Sequence, residues 1–303
     1  MSGVVFFGYG DLAVAGIDAL LSAGAALAAV VVPGNRTGED ITAVAREAAR
    51  RGLPLWIQPP RREIAPFVEQ LRILSPDVLI VWSYSMILPS QVLALPRHGA
   101  VNVHGGLLPE YRGGHVMQWA MINGEVESGV TLHYMDDGID TGPVIAVARF
   151  PIDVDDDAAR VRAKLRATGI SLLTQWWPRI ADGTAPAIPQ DESRAKHWPM
   201  RTPEDGRIAW TMRPDQICRL VRALGCNSPG AYVETIAGRI SIRRAQPHDG
   251  NPSRPAGTIV GVEATGVRIA ALGGDVLVTE AEREGHIVTG QVLASLLAAE
   301  STR

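Results

Sequence analysis

The chain has 303 residues, of which 46% are hydrophobic and 20% are charged, and its formal net charge is −3. This length suffices for two domains and a sizeable core, and the composition is that of a soluble globular protein. The charge gives no general attraction to nucleic acid, and no apolar run reaches the roughly 18 residues that a membrane span needs. Residues 1–7 lack a basic region, so we interpret their apolar run as a first strand rather than a signal peptide, and we expect a cytoplasmic protein.

The first half of the chain alternates predicted strands and helices. In chain order these are a strand at 4–9, a helix at 12–22, a strand at 28–32, helices at 41–51 and 64–74, strands at 78–82 and 100–104, a helix at 115–123, and strands at 130–135 and 144–150. The opening strand, helix and strand form a βαβ unit. The whole pattern predicts an α/β fold with a doubly wound, mostly parallel sheet, whose ligands gather at the carboxyl ends of its strands.

The second half changes character after a predicted helix at 156–177, which we expect to end at Pro178. Residues 183–203 are rich in proline and polar residues and are predicted to be a linker or an extended crossing segment. A helix at 214–224 is followed by five short predicted strands, at 231–234, 240–243, 257–262, 267–271 and 276–278. Short strands of this kind favour a small OB-like β-barrel. We therefore predict a catalytic domain at 1–182, a linker at 183–203 and a C-terminal OB-like domain at 204–303.

Two common kinds of site are disfavoured by the sequence. The Gly8-Tyr9-Gly10 turn lacks the third glycine of a dinucleotide-binding motif, because Ala13 stands there, and no acidic residue ends the second strand. A nicotinamide cofactor is therefore not expected. The spacings of the four histidines between 98 and 133 match no standard metal ligand set, so no metal is expected. Cys218 and Cys226 are interpreted as two packed small residues rather than a disulfide or a zinc site.

Three polar groups stand out near predicted strand ends. Asn102 and His104 are two residues apart on one strand, so they face the same side of it, and Gly105 and Gly106 free the backbone that follows. Asp140 lies in an acidic loop in which we interpret Asp136 and its neighbour 137 as turn formers. An amide, an imidazole and a carboxylate are the groups that transfer of a one-carbon acyl unit to an amine requires.

Four motifs around these groups resemble the 10-formyltetrahydrofolate-dependent formyltransferase family. They are Asn-x-His at 102–104, Leu-Leu-Pro-x-Tyr-Arg-Gly at 107–113, Gly-Val-Thr-Leu-His at 129–133 and Asp-x-Gly-Ile-Asp-Thr-Gly at 136–142. The similarity extends to 78–89, which resembles the family's pterin-holding strand and loop, and to 201–210, which resembles the start of its C-terminal domain. Nearly the whole chain is covered, so the resemblance implies a Rossmann-like catalytic core followed by a smaller C-terminal domain.

The resemblance also implies roles for individual residues. Asn102, His104 and Asp140 would be catalytic: Asn102 and protonated His104 would stabilise the oxyanion, and Asp140 would favour the imidazolium and help to take the amine proton. From the resemblance we expect cosubstrate contacts from Trp82, Tyr84, Met86, Ile87, Leu88, Asp136, Gly138 and Ile139. We expect acceptor contacts from Tyr9, Gly106, Tyr111, Arg112 and Arg201. Gly106 and Ala209 depart from the family, which usually has serine and a polar residue at these positions, and both could alter the acceptor site.

The family resemblance leaves the acceptor open. We favour a primary amine or hydroxylamine of a small molecule, with a nucleotide-linked amino sugar ahead of a siderophore or antibiotic precursor. Methionyl-tRNA is the alternative, disfavoured because residues 204–303 carry 11 arginines against 11 acidic residues and because the segment 33–40 is short, with one arginine. Glycinamide ribonucleotide is less favoured still, and hydrolysis of the cosubstrate is a further alternative. The oligomeric state is left open, with a homodimer among the alternatives.

Overall fold

The computed structural model describes residues 3–225, 230–236 and 238–298. The helices are α1 Gly10–Ser22, α2 Glu39–Arg50, α3 Ala65–Leu74, α4 Ser90–Leu93, α5 Val116–Asn123, α6 Ala158–Ala181, α7 Pro214–Leu224 and α8 Gly290–Ala298. The strands are β1 Gly3–Gly8, β2 Ala26–Pro33, β3 Leu55–Gln58, β4 Val78–Trp82, β5 Ala100–His104, β6 Arg112–Gly113, β7 Glu127–Tyr134, β8 Val144–Pro151, β9 His197–Trp198, β10 Ala231–Thr235, β11 Gly238–His248, β12 Ile259–Glu263, β13 Gly266–Ala271, β14 Gly274–Arg283 and β15 His286–Val288.

The described residues form two compact units, and each unit is made of three separate segments of the chain. The first unit comprises residues 3–113, Ser128–Phe150 and Ala163–Trp198. The second comprises Gly114–Glu127, Pro151–Arg162 and the described part of 199–303. The domain limits at 182 and 204 stay a prediction, since these units are defined by contacts rather than by position along the chain.

The first unit is built on a seven-stranded sheet with the strand order β3-β2-β1-β4-β5-β7-β8. The first five of these strands are parallel, and β1 and β4 are covered on both faces, which explains their continuous apolar sequences. The predicted mostly parallel, doubly wound α/β fold is confirmed. One strand departs from it, because β7 runs antiparallel to β5.

Trp82, at the end of β4, is packed where two glycines allow close approach. Its side chain is 1% exposed. A Cβ added at Gly16 of α1 would lie 2.9 Å from the indole ring, and one at Gly169 of α6 would lie 2.5 Å from it. Real Cβ atoms do not make such contacts, so both helices carry glycine where they meet the ring. Trp82 is therefore a core residue that seats two helices against the sheet.

Several elements differ from the sequence-based predictions. Helix α6 continues through Pro178 to Ala181, so the predicted end at this proline is wrong. The reason is burial: Trp177 and Ile180 anchor the last turn in the core, and the loss of one backbone hydrogen bond does not outweigh that packing. The edge strand β3 and helix α8 were not predicted. The segment predicted as a linker contains β9, which pairs with β6.

The second unit contains a six-stranded antiparallel sheet with the path β10-β11-β14-β13-β12, and β15 pairs with β14. The predicted C-terminal β domain is confirmed in this sheet. Helix α7 begins and ends where the amphipathic pattern places it, and its apolar face is buried. Cys218 on that face is buried and forms no disulfide, whereas Cys226 lies outside the described residues. No helix in the described ranges combines the length and apolar character that crossing a membrane requires.

Candidate active site

The site forms on one face of the sheet, where β5 meets β7. Asn102 and His104 project from the same face of β5 because strand side chains alternate. The antiparallel register places His133 directly opposite Asn102 and Thr131 directly opposite His104. The Nδ2 of Asn102 lies 3.2 Å from the Nε2 of His133. Two neighbouring strands therefore supply four polar side chains to one patch.

Asp140 reaches this patch from the loop that joins β7 to β8. Asp136 shapes the loop, because its Oδ1 accepts hydrogen bonds from the Gly138 amide at 3.0 Å and from the Thr141 hydroxyl at 2.6 Å. This is the turn-forming role predicted for Asp136. Asp140 itself adopts a left-handed conformation with φ of 55°. A non-glycine residue in that region costs free energy, so the contacts that hold it there matter to the site.

The Asp140 carboxylate joins the other site residues. Its Oδ1 accepts a hydrogen bond from Asn102 Nδ2 at 3.2 Å, and its Oδ2 accepts one from the Gly113 amide at 2.9 Å. The Oδ2 atom also lies 3.5 Å from His104 Nδ1. The three predicted catalytic side chains thus lie in direct proximity, although Asp140 is distant from the others in sequence.

Hydrogen bonds define the tautomer of His104. Its Nε2 lies 2.6 Å from the carbonyl oxygen of Tyr111, which can only accept, so Nε2 carries the hydrogen and donates it. In the neutral ring Nδ1 is then the unprotonated nitrogen, and it faces Asp140. Burial lowers the pKa of His104, although the charge of Asp140 opposes that shift. His104 therefore has its Nε2 hydrogen engaged by Tyr111 and its Nδ1 directed at the carboxylate of Asp140.

Asp140 is the ionised partner in this arrangement. Burial alone would raise the pKa of its carboxyl group, but the positive charge that His104 carries when protonated, the contacts with His133 and the amide of Gly113 outweigh burial. The resulting pKa lies well below the ordinary range of an aspartate. A carboxylate fixed beside a neutral imidazole is arranged to stabilise the imidazolium that forms when that ring takes up a proton.

His133 is a member of the cluster that the sequence analysis did not select. Its Nδ1 donates to the carbonyl oxygen of Tyr134 at 2.8 Å, and its Nε2 lies 3.4 Å from Asp140 Oδ1. The signal was present in the motif Gly-Val-Thr-Leu-His at 129–133. The sequence does not show that β7 is antiparallel to β5. It therefore could not predict which residue of β7 would lie opposite Asn102.

The loop after β5 is held by Thr131, which is fully buried. Its hydroxyl donates to the carbonyl oxygen of Gly106 at 2.7 Å and accepts from the amide of Leu108 at 3.2 Å. Gly106 is buried and does not have a positive φ, so its backbone does not demand glycine. This loop carries the residue at which the chain departs from the family's usual serine.

Two residues predicted to contact the acceptor are engaged within the protein. The Tyr111 ring is buried and stacks on Trp198, with ring centroids 5.5 Å apart and an interplanar angle of 11°. The Arg112 guanidinium is also buried and is bonded by the side chains of Gln190 and Glu192. Tyr111 and Arg112 therefore have partners within the protein, although Arg112 also lines the cavity described below, and their contact with the acceptor stays a prediction.

The expected cosubstrate residues divide into core and surface groups. Trp82 and Leu88 are buried in the core, so their side chains are not available for contact with a ligand. Tyr84 is half-buried, and its hydroxyl donates to Gln58 Oε1 at 2.9 Å. Ile87 is 77% exposed and Ile139 is 53% exposed, so their side chains are accessible to a ligand. Met86 is half-buried and Gly138 is exposed in the same two loops.

Of the remaining acceptor residues, Tyr9 lies at the carboxyl end of the central strand β1 and Arg201 lies in the second unit. Tyr9 caps the start of α1, and the Arg36 guanidinium lies over its ring, 5.3 Å from the ring centroid. The Nε of Arg201 is buried and has no hydrogen-bond partner among the described residues. Burial lowers the pKa of its guanidinium, although Asp205 opposes the shift.

A cavity of about 430 Å³ opens beside the Asp140 loop. It is lined by Arg112, Ile139, Thr141, Ala195, Lys196 and His197. Its volume is in the range of small-molecule sites. Within the described ranges no three side chains of the metal-ligating types lie close enough to hold an ion.

Comparison with known proteins identifies the family. Residues 4–176 match the formyl transferase family, and residues 201–294 match its C-terminal domain. The chain belongs to the formyl transferase family. A methionyl-tRNA formyltransferase of Myxococcus xanthus (strain DK1622) is 35% identical over 290 residues, which are 94% of this chain and 91% of the relative.

Solved structures of the family share the fold. WlaRD, a sugar 3N-formyl transferase crystallised with dTDP and 5-N-formyl-THF, is matched with a TM-score of 0.70 at 18% identity, over 94% of this chain and 99% of that protein. The N-formyltransferase of Helicobacter canadensis, in complex with folinic acid and dTDP-3-aminofucose, is matched with a TM-score of 0.67 at 18% identity, over 92% and 99%. At this level of identity the likeness concerns the fold alone.

Proposed function

We propose that this family member transfers the formyl group of 10-formyltetrahydrofolate to an amine of a small molecule, with a nucleotide-linked amino sugar as the leading acceptor. The observation that carries the proposal is the cluster of Asn102, His104 and Asp140 on one face of the sheet. It combines an amide donor, a neutral imidazole and an ionised carboxylate. Formyl transfer to an amine needs these three groups together.

Each residue has a distinct task in the proposed reaction. The amine nitrogen bonds to the formyl carbon, and negative charge develops on the formyl oxygen. Asn102 would be the N–H donor for that charge, and it would release one of the two bonds that its Nδ2 makes in the structure, to Asp140 Oδ1 and to His133 Nε2. His104 takes the proton released by the amine on Nδ1, and Asp140 stabilises the imidazolium. The proton then passes to the departing nitrogen of the donor as the bond between that nitrogen and the formyl carbon breaks.

This mechanism revises the role that the family resemblance implies for His104. The resemblance suggests a protonated ring that stabilises the oxyanion. In the structure, burial lowers the pKa of His104 and its Nε2 hydrogen is already donated to Tyr111. We therefore propose that His104 acts as the base through Nδ1, and that Asn102 becomes the donor to the formyl oxygen when one of its bonds to Asp140 or His133 is released.

The loops around Tyr84 and Ile139 support a folate cosubstrate. Ile87 and Ile139 expose large apolar side chains, and a flat pterin ring buries such surface favourably. The solved relatives WlaRD and the Helicobacter canadensis enzyme were crystallised with 5-N-formyl-THF and folinic acid, which agrees with this choice of donor.

The electrostatics of the C-terminal sheet support a small acceptor. In the described part of 204–298, eight arginines lie no more than 3.7 Å from a carboxylate oxygen. They are Arg213, Arg219, Arg239, Arg243, Arg244, Arg254, Arg268 and Arg283. Arginines paired in this way contribute little net positive potential, whereas tRNA binding relies on unneutralised basic surface.

The segment after β2 also supports a small acceptor. It is short and lies against the loop after β4: the Ser85 hydroxyl donates to Asn35 Oδ1 at 2.8 Å, and Asn35 Nδ2 donates to the Ser85 carbonyl oxygen at 3.3 Å. Its single arginine, Arg36, lies over Tyr9. This segment contributes one positively charged side chain at the carboxyl ends of the strands. A single charge contributes little to the binding of a polyanion such as tRNA.

Methionyl-tRNA is the second candidate acceptor. The observation that favours it is the 35% identity to the Myxococcus xanthus enzyme over nearly the full length of both proteins. That similarity is spread across both the catalytic and the C-terminal parts of the chain. The two candidates differ in a measurable way, because tRNA binding depends steeply on salt and binding of a small amine does not.

An acceptor screen tests the proposal. The purified protein is supplied with 10-formyltetrahydrofolate and, in separate reactions, with charged initiator tRNA, nucleotide-linked 4-amino sugars and hydroxylated ornithine. Formylated product is detected by mass spectrometry, and kcat/KM is measured for each acceptor. We expect a small amine to exceed the tRNA by at least about tenfold. A higher kcat/KM for the tRNA would overturn the small-molecule assignment and establish the second candidate.

A reaction without acceptor separates transfer from hydrolysis. Tetrahydrofolate released at the same rate with and without an amine would show that water is the acceptor. The matched comparison is Asp140→Asn, which removes the charge beside His104 and should stop transfer to any acceptor. No release under any condition, despite measured folate binding, would show that the chain is not an enzyme of this class.

A further inference from the structure

The side-chain amide of Gln190 joins the two loops that build the site. Its Nε2 donates to the carbonyl oxygen of Asp140 at 2.8 Å and to that of Gly142 at 2.7 Å. Its Oε1 accepts from Arg112 Nε at 3.1 Å and from Arg112 Nη2 at 2.9 Å. Both hydrogens and both lone pairs of the amide are therefore used. One side chain thus ties the loop after β7 to strand β6.

Arg112 is the second part of this connection. Its guanidinium is buried, and in addition to Gln190 it donates to Glu192 through Nη1 at 2.9 Å and through Nη2 at 2.6 Å. The residue that follows it, Gly113, donates its amide hydrogen to Asp140 Oδ2 at 2.9 Å. Strand β6 therefore holds the carboxylate of Asp140, while Gln190 holds its main chain.

The stretch 190–198 that carries Gln190 is itself fastened along the loop before β6. The Lys196 amide donates to the Pro109 carbonyl oxygen at 3.1 Å, and the Arg112 amide donates to the Lys196 carbonyl oxygen at 3.1 Å. The indole Nε1 of Trp198 donates to the Glu110 carbonyl oxygen at 3.0 Å. These bonds fix the position of Gln190 relative to β6 independently of Asp140.

The conformation of Asp140 needs such support. Its φ of 55° is costly for a residue with a side chain, and the cost persists only where the surroundings over-determine the backbone. Hydrogen bonds to the carbonyl oxygens on both sides of Thr141 hold this turn, and they come from a side chain some 50 residues further along the chain. Loss of these bonds lets the turn relax and moves the carboxylate from His104.

We propose that Gln190 is a positioning residue that sets the place of the Asp140 carboxylate relative to His104. The inference rests on the proposed formyl transfer, in which this pair handles the amine proton. The geometry requires a glutamine. Glutamate would oppose its carboxylate to two carbonyl oxygens, and asparagine is one methylene shorter and does not span the same distance.

The test replaces Gln190 by leucine and, separately, by glutamate. Gln190→Leu removes both sets of bonds at similar volume, and Gln190→Glu keeps an acceptor for Arg112 but removes the donors to the Asp140 turn. We expect kcat to fall about 10- to 100-fold in each, with KM for 10-formyltetrahydrofolate within about threefold of wild type. The matched control is Gln70→Leu on the exposed surface of α3, which should leave kcat unchanged.

The pH profile distinguishes positioning from loss of fold. The titratable neighbours of His104 are Asp140 and His133, and the charge of Asp140 raises the pKa of His104. Withdrawal of that charge moves the acid limb of kcat/KM to lower pH in Gln190→Leu, which adds no charge of its own to the site. A loss of activity explained by a smaller folded fraction, with an unmoved limb, overturns the inference. So does a kcat within about twofold of wild type. Wild-type protein that transfers no formyl group refutes the proposed function instead.

Discussion

Replacement of Asp140 by asparagine is the most direct test of the proposed chemistry. The change keeps the size and one oxygen acceptor of the side chain but removes its charge. In the structure that charge lies 3.5 Å from His104 Nδ1, in a site where both side chains are nearly buried. If His104 is the base, the imidazolium that forms during transfer loses its counter-charge in the variant.

The size of the effect follows from that distance. Two unit charges 3.5 Å apart attract by about 5 kcal/mol at an effective dielectric constant of about 20. At about 1.4 kcal/mol for each factor of ten, this sets an upper limit between about 10³ and 10⁴ on the loss of rate. The proton is only partly transferred in the transition state, so we expect kcat to fall about 10²- to 10³-fold, with folate binding nearly intact.

The assay measures kcat, kcat/KM as a function of pH, and folate affinity. If His104 is the base, its neutral form is the active one, and the rate rises with pH through its pKa. The Asp140 charge raises that pKa, and its loss therefore moves the acid limb of kcat/KM to lower pH. The matched control is Asp137→Asn, the same chemical change on an exposed residue of the same loop. A variant that keeps more than about a tenth of the wild-type rate, or a control that loses as much, refutes the reasoning.

Three further predictions concern the site and the fold. His104→Ala should reduce kcat by at least about 10²-fold while folate affinity, measured by fluorescence titration, stays within about threefold. Thr131→Val should lower the free energy of unfolding by about 1–3 kcal/mol in urea titrations, because it leaves the Gly106 carbonyl and the Leu108 amide without their partner. Hydrogen bonds from Arg50 and its neighbour lower the pKa of Glu47 to about 2 from 4.5. Glu47→Gln should therefore lower the free energy of unfolding by about 1 kcal/mol above pH 4.5, and by progressively less as the pH falls toward 2. The Tm values of the variant and the wild type should converge over this range. An equal loss at pH 2 and above pH 4.5 contradicts the prediction.

Much of the fold could be predicted because burial imposes local patterns. Strands β1 and β4 are covered on both faces and so read as continuous apolar runs. Helix α7 shows a clear amphipathic period and a proline in its first turn, and its limits were predicted correctly. Strand β3 was missed because it is short and lies at the sheet edge, where neither face is fully covered.

Site residues could be predicted only where a local sequence pattern or a motif of the family points to them. Asn102 and His104 follow from strand alternation, and Asp140 was selected with the help of its motif. Their mutual distances are now measured, while their catalytic roles stay a proposal. Tyr111 and Arg112 were expected to contact the acceptor, which stays a prediction, and the structure adds their partners Trp198 and Gln190. Those partners lie some 80 residues away in sequence, beyond any local pattern.

The sequence by itself determined the parallel α/β core, the antiparallel sheet that follows it and the three polar groups suited to acyl transfer. These are consequences of side-chain periodicity, which records burial over a few neighbouring residues. Only the tertiary structure decided that β7 runs antiparallel to β5, so that His133 lies opposite Asn102, and that Gln190 holds the Asp140 turn. Those features depend on which segments, distant in sequence, pair and pack together in the fold. The geometry of the base and its counter-charge is therefore a property of the folded chain.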